Sequence, residues 1–155
     1  MSDDEVRWLD ATESQAWRGF LDLHAHLRTT LNRDLQASSG LSMAEYDVLV
    51  QLTDVEDGRR RAFELGDRLG WEKSRLSKQV IRMEQRGLVV REVCEEDRRG
   101  AYVAITAAGR KAIEDAAPRH VEVVRRLFLD PLARPQVESL AAAMAAILAQ
   151  GEQTG

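Results

Sequence analysis

The fold of this 155-residue chain is decided by residues 73–88, KSRLSKQVIRMEQRGL. At about 100° per residue, Leu76, Val80 and Met83 lie within one narrow arc of a helix. The opposite arc is polar and mostly cationic, with Ser74, Arg75, Lys78, Arg82, Gln85 and Arg86. Gly87 can adopt the left-handed conformation that ends a helix. The pattern therefore predicts an amphipathic helix with a buried stripe and a cationic front.

The charge of this segment is opposite to that of the whole chain. The chain has a formal net charge of −4 at pH 7, whereas residues 73–91 hold six basic residues and one acid, for a net charge of +5. Such a face is either an ordinary solvated surface or the front of a helix that enters the DNA major groove, where Arg and Lys meet phosphates and base edges. Ile81 lies toward this polar arc, where it either touches a thymine methyl group or packs against a neighbouring loop.

Length and composition limit the class of protein. A chain of this size forms one domain, or a small domain with dimerisation helices attached, and 44% hydrophobic residues suffice for a core. No stretch approaches the roughly 20 apolar residues of a membrane span, and the acidic N-terminus, MSDDEVRW, is unlike a signal peptide. The single cysteine, Cys94, cannot form an internal disulfide. We therefore expect a cytoplasmic protein with no cofactor and no membrane partner.

Two helices are predicted before the cationic segment. Apolar residues at spacings of three and four predict a long helix over 13–37 and a shorter one over 43–53. Each is preceded by a capping box, in which a hydroxyl and a Glu or Gln three residues later bind free backbone N–H groups. The two boxes are Thr12 with Gln15, and Ser42 with Glu45.

The neighbours of the cationic helix favour contact with DNA. A short helix over 62–69 and a turn of about four residues precede it, which is a helix-turn-helix arrangement. After it, residues 88–93 and 101–105 have the composition of paired strands around a charged turn, so a β-hairpin, or wing, is predicted. Arg98 and Arg99 at its tip either reach a narrow minor groove or belong to an ordinary exposed turn, balanced by acidic neighbours.

Two further helices follow the wing. Thr106 is expected to cap a long helix with a kink near residues 114–118, because Pro118 removes a hydrogen bond. The last helix is predicted over 135–150. A winged domain of about 65 residues buries its own core, so the first, fifth and sixth helices retain apolar faces that a second copy would cover. A two-fold dimer would present two recognition helices about one DNA turn apart and would read an inverted repeat.

The predicted organisation has three parts: an N-terminal arm with a dimerisation helix, a winged helix-turn-helix domain, and C-terminal dimerisation helices. They cover residues 1–37, 41–106 and 107–150.

Four motifs support this organisation: Ser74-Arg75-Leu76-Ser77-Lys78, Met83-Glu84-x-x-Gly87-Leu88-Val89-x-Arg91, Asp97-Arg98-Arg99-Gly100 and Ile105-Thr106-x-x-Gly109. With the order of the elements, they resemble the MarR family of bacterial transcriptional regulators over residues 10–150. The resemblance implies a mainly α fold with a small β-wing and a homodimer that binds double-stranded DNA. It also implies a repressor that a small aromatic or phenolic ligand releases.

The resemblance also implies roles for individual residues. Asp97 would brace the wing through a salt bridge, and Arg99 would enter the minor groove or position the tip, with Arg98 close by. An effector would bind between the dimerisation helices and the winged domain. The residues expected to face the major groove are Ser74, Arg75, Ser77, Lys78 and Arg82. Those expected to line the effector cleft are Trp17, His24, Arg28 and Tyr46. The simpler interpretation makes Trp17 a core residue and His24 a partly exposed one.

Other classes of function have less support. The chain has no Gly-rich phosphate loop, no G-x-S-x-G and no H-E-x-x-H, so we predict no enzyme. His24 and His26 lie on different faces of a helix and do not form a metal pair. Two alternatives stay open: a non-specific architectural DNA-binding protein, and a redox-responsive regulator that uses Cys94. The front of the helix also carries polar side chains, which favour base recognition over phosphate binding alone. These are Ser74, Ser77 and Gln79.

Overall fold

The computed structural model describes residues 6–93 and 100–151, which form a mainly α-helical fold with a small antiparallel sheet. The elements in chain order are α1 (Ala11–Ser39), α2 (Met43–Thr53), β1 (Arg59–Arg61), α3 (Ala62–Leu69), α4 (Lys73–Gln85), β2 (Val89–Val93), β3 (Ala101–Ile105), α5 (Ala107–Val124) and α6 (Arg134–Gly151). One π-helical segment, Arg125–Leu129, follows α5. The predicted fold class is confirmed.

The first two helices begin at capping boxes, one of which the sequence analysis misplaced. The Ser42 backbone N–H donates to Glu45 Oε2 at 2.9 Å, and the Glu45 N–H donates to Ser42 Oγ at 3.1 Å, as predicted. The box predicted at Thr12 is wrong, because α1 begins earlier and Asp10 forms the box with Glu13. Aspartate caps a helix at least as well as threonine and also interacts favourably with the helix dipole.

The sheet extends the predicted wing by one strand. Its order is β1-β3-β2 with antiparallel pairing throughout, so β3 lies in the middle and Val103 pairs with Arg60 on one side and Arg91 on the other. Both strands of the predicted hairpin are present. The core beneath the sheet joins residues from α1 to α5, and its most completely buried members include Leu35, Leu49, Leu52, Leu65, Met83, Val89 and Val103.

Helix α5 starts in close contact with the end of α4. Thr106 Oγ1 accepts a hydrogen bond from the Gly109 N–H at 2.9 Å, which confirms the predicted cap. The same hydroxyl donates to the carbonyl of Gly87. A Cβ atom on Gly109 would lie only 2.1 Å from the carbonyl oxygen of Leu88. Glycine is therefore required here for the backbone of α5 to approach the base of the wing.

The N-terminal half of α1 and the whole of α6 have little cover. Helix α6 has no buried residue, and the only buried residues of α1 are Leu31 and Leu35. Trp17 is 54% exposed, so its interpretation as a core residue is wrong for a single chain. None of the helices in ranges 6–93 and 100–151 combines the length and apolar character needed to cross a bilayer. The large exposed apolar side chains of α1 and α6 include Trp17, Phe20, Leu21, Leu23, Met144, Ile147 and Leu148.

Candidate nucleic-acid interface

The polar front of α4 is exposed next to the wing. Leu76, Val80 and Met83 are buried, as the helical pattern predicts. Gly70 ends α3 with a φ of 65°, and the chain then turns directly into α4. This geometry fixes α4 against the domain through one face and leaves the other free for a ligand. The exposed residues of that face include Lys73, Ser74, Arg75, Ser77, Lys78, Ile81 and Arg82.

The first arginine of α4 lies over an aromatic ring. The Arg75 guanidinium carbon is 4.4 Å from the centroid of the Trp71 ring. The Trp71 side chain packs against the hydrophobic core, and the Trp71 backbone N–H donates to the Gly66 carbonyl at 2.9 Å. A cation–π contact of about 0.5–1 kcal/mol reduces the conformational freedom of the guanidinium before it meets a ligand. Trp71 was not predicted as part of the site, although its spacing of four from Arg75 was a usable signal.

Gln79 does not lie on the exposed front. Gln79 is only 6% exposed. Its Oε1 accepts a hydrogen bond from Arg82 Nη2 at 2.7 Å. The reason is helical geometry, because Gln79 lies one turn from both Leu76 and Met83 and so borders the buried stripe. The prediction that Gln79 faces base edges is therefore corrected: this residue orients Arg82 instead.

Arg86 belongs to the cationic arc in the sequence but binds the protein itself. It donates to Glu45 Oε2 at 2.6 Å and to the Gly40 carbonyl at 3.2 Å. Glu45 is 6% exposed and also forms the capping box of α2. The arginine thus ties the end of the recognition helix to the junction of α1 and α2, 41 residues away in sequence.

The remaining basic residues of α4 and β2 differ in whether they form an ion pair within the protein. Arg91 pairs with Glu84, whose carboxyl lies 3.1 Å from its guanidinium, and this arginine holds the pKa of Glu84 below its usual value. Within the described part of the chain, the cations of the front make no ion pair with a carboxylate. These four cations are Lys73, Arg75, Lys78 and Arg82.

The outer face of the wing carries a second cationic group. The Tyr102 ring lies beneath two guanidinium groups, with Arg59 Cζ at 4.5 Å and Arg61 Cζ at 5.0 Å from its centroid. Arg59 Nη1 also donates to Glu92 Oε2 at 3.1 Å. This cluster was not predicted, because it depends on the pairing of β1 with β3. Four predicted residues lie outside the described part of the chain: Cys94, Asp97, Arg98 and Arg99.

Two of the predicted effector residues are engaged in contacts of their own. Tyr46 is 7% exposed, and its ring centroid lies 4.3 Å from that of His120. Burial raises the pKa of Tyr46 and lowers the pKa of His120. Arg28 Nη1 donates to Asp47 Oδ2 at 2.7 Å. These contacts connect α5 and α1 to α2.

The other two effector residues lie on the exposed face of α1. The rings of Trp17 and His24 each stack on Phe20, with centroids 6.0 Å and 6.1 Å apart. The structure therefore does not bring the four predicted residues together. A groove of about 500 Å³ between α1 and α2 contains one of the four, Arg28, together with Asn32, Arg33, Ser42 and Met43.

A helix-turn-helix with an exposed cationic second helix beside a β-wing defines a winged-helix DNA-binding protein. Comparisons with known proteins refine this class. The model of the MarR family matches residues 39–100, and a search of curated proteins gives no match.

Three solved structures illustrate the relationship. AbsC, a MarR family transcriptional regulator from Streptomyces coelicolor, is 40% identical, covers 96% of this chain and 99% of its own, and superposes with a TM-score of 0.86. Sco3205, a MarR family transcriptional regulator from the same organism solved in complex with DNA, is 37% identical over 96% of this chain and 92% of its own, with a TM-score of 0.87. CouR from Rhodococcus jostii RHA1, solved with p-coumaroyl-CoA bound, is 27% identical over 83% of this chain and 90% of its own, with a TM-score of 0.71. The chain therefore belongs to the MarR family of transcriptional regulators.

Proposed function

We propose that this regulator recognises a specific operator by placing α4 in the DNA major groove. The observation that carries the proposal is the exposed front of α4, where two serines accompany four cations that pair with no carboxylate of residues 6–93 and 100–151. Cations neutralise phosphates, whereas serine hydroxyls and a bidentate arginine suit base edges. The relative Sco3205, which was solved in complex with DNA, supports DNA as the ligand. The proposed contacts are Ser74, Arg75, Ser77, Lys78 and Arg82.

The wing is proposed to add a contact in the minor groove through Arg98 and Arg99, with Asp97 as its brace. This part of the proposal rests on the family resemblance. Replacing both arginines by Ala should lower affinity and flatten the dependence of the binding constant on salt, because phosphate-neutralising charges are lost. An unchanged slope would remove the wing from the interface.

The DNA-binding species is proposed to be a homodimer on an inverted repeat. The exposed apolar side chains of α1 and α6 support this, because a second copy would remove them from water and place two α4 helices roughly 34–36 Å apart. Replacing both Met144 and Leu148 by Glu should give monomers in sedimentation and weak operator binding. Ala142→Glu, about half a turn away on α6, is the matched control and should stay dimeric. Dimers that survive the double replacement would show that another surface holds the pair.

Specific and non-specific binding are separated by a titration across a salt series. An operator selected from random duplexes should bind at least about a thousandfold more tightly than a scrambled duplex at physiological salt. An architectural protein would bind both duplexes alike at every salt concentration. Equal affinities would therefore refute the proposed function.

The regulator is further proposed to be a repressor that a small aromatic or phenolic acid releases. The groove between α1 and α2 supports this proposal, since Arg28 and Arg33 line it, and the relative CouR binds p-coumaroyl-CoA. A panel of hydroxybenzoates and hydroxycinnamates should raise the thermal midpoint, by mass action on the folded state, and weaken operator binding. Arg33→Ala should abolish the response. A panel that changes neither quantity would refute this part.

A further inference from the structure

The front of α4 contains one aliphatic side chain that the domain does not use. Ile81 is 38% exposed, whereas Leu76, Val80 and Met83 on the opposite face are at most 4% exposed. Within the described residues, Ile81 belongs neither to the hydrophobic core nor to the partly buried side chains packed against it. Among the described residues, Ile81 is therefore an aliphatic side chain outside the core on an otherwise polar face.

Ile81 lies close to the centre of the front. Seven residues correspond to nearly two helical turns, so Ile81 lies within about 20° of Ser74 and about 10 Å further along the axis. Ser77 and Lys78 lie one turn before it on either side. Arg82, the next residue, turns its guanidinium toward Gln79 Oε1 at 2.7 Å. This hydrogen bond directs the arginine toward the edge of the buried stripe, and Ile81 remains partly exposed.

An isoleucine in this position can recognise only one group of the major groove. It has no hydrogen-bond donor or acceptor, so it gains nothing from a phosphate or from the polar edge of a G·C pair, which it would desolvate without compensation. The apolar group that the major groove presents is the 5-methyl of thymine. We propose that Ile81 contacts the 5-methyl group of one thymine in each half-site, which makes that A·T pair a determinant of operator choice. This proposal rests on the proposed function.

The test replaces thymine by deoxyuridine, which removes the methyl group and leaves every hydrogen-bonding atom in place. The operator is selected from random duplexes with the wild-type protein, and each thymine is then replaced in turn. At one position, uracil should weaken binding about fourfold in one half-site and about fifteenfold in both, as expected for one buried methyl group per contact. Ile81→Ala should bind thymine and uracil duplexes equally, and Ile81→Val should keep part of the preference.

Two controls isolate the contact. Gln85→Ala removes a polar side chain from the same face and should keep the full thymine preference. Ile81→Ala should keep the wild-type thermal midpoint, because the side chain is outside the core. Three results would each overturn the inference. The wild-type protein could bind thymine and uracil duplexes equally at every position, Ile81→Ala could keep the preference for thymine, or the selected half-site could lack a fixed thymine. A protein that selects no operator at all would refute the proposed function as well, so the two failures are distinguishable.

Discussion

Replacing Arg86 by Met should separate the two roles that cations play on α4. Arg86 donates to the Glu45 carboxylate at 2.6 Å and to the Gly40 carbonyl at 3.2 Å. Methionine keeps a long apolar side chain but leaves Glu45, at 6% exposure, with the Ser42 N–H as its remaining donor. Hydrogen bonds to charged groups contribute about 1.5–3 kcal/mol. Since the Arg86 side chain is 46% exposed, we expect the free energy of unfolding to fall by about 2 kcal/mol.

Urea unfolding of a double-mutant cycle measures this interaction directly. The second variant is Glu45→Gln, which removes the charge but retains an oxygen that accepts from the Ser42 N–H. The coupling energy between Arg86 and Glu45 should be at least about 1 kcal/mol. A coupling energy below about 0.5 kcal/mol would refute the structural role of the pair.

Operator binding provides the second readout. Arg86→Met should leave the slope of log K against log salt unchanged, because this guanidinium is bound to the protein and contacts no phosphate. The matched control is Lys78→Met on the exposed front, which should reduce the slope by about one unit while changing the free energy of unfolding by less than about 0.5 kcal/mol. Equal slopes for the two variants would contradict the division between structural and DNA-binding cations.

Three further outcomes are expected. Gly109→Ala should destabilise the protein by at least about 3 kcal/mol in urea unfolding, because a methyl group would lie 2.1 Å from the Leu88 carbonyl oxygen. Burial holds the pKa of His120 below its usual 6.5, so the unfolded chain binds this proton more readily than the folded protein. The free energy of unfolding should therefore fall as the pH drops through about 6.5. His120→Gln should flatten that dependence in unfolding measured from pH 5 to 8. Arg75→Ala should reduce discrimination at one base pair of each half-site by roughly 1–3 kcal/mol, and Trp71→Leu should reproduce part of this loss in affinities measured with single-base operator variants.

Each of these outcomes has a result that would contradict it. Ala108→Gly, at an exposed position in the same turn as Gly109, should cost only about 1 kcal/mol, and a similar cost for Gly109→Ala would exclude the backbone clash. An unchanged dependence of stability on pH in His120→Gln would assign that dependence to another group. Equal weakening on all duplexes would make Arg75 a phosphate contact only.

Local signals in the sequence predicted most of the fold. The apolar period of α4, the capping box at Ser42 and the strand-like composition of β2 and β3 each depend on residues only a few positions apart. The first capping box was misplaced because two acceptable boxes overlap, and helix propensity extends α1 to the earlier one at Asp10. Strand β1 was not predicted to join the sheet, since its pairing partner, β3, lies some 40 residues further on.

The candidate site was predicted as a face, not as individual side chains. Helical period assigned Arg86 to the polar side, but it cannot show that a buried carboxylate from α2 binds this arginine. Gln79 was assigned to the front because it is polar, although helical geometry places it beside the buried stripe. The four residues predicted to line the effector cleft do not lie together, for the same reason. Tyr46 meets His120 of α5, 74 positions further along the chain, and no periodic pattern in α1 and α2 records that contact.

Helix α6 spans 18 residues without burying one of them. This affects how the stability and the DNA binding of the protein depend on its concentration. If its cover comes from a second copy, the folded state is favoured by mass action, so the melting temperature should rise as the protein is concentrated. Dilution then removes both the partner and part of the stability at once. Occupancy of a palindromic site would consequently vary more steeply than in direct proportion with the number of chains in the cell, which gives a scarce regulator a threshold even without an effector.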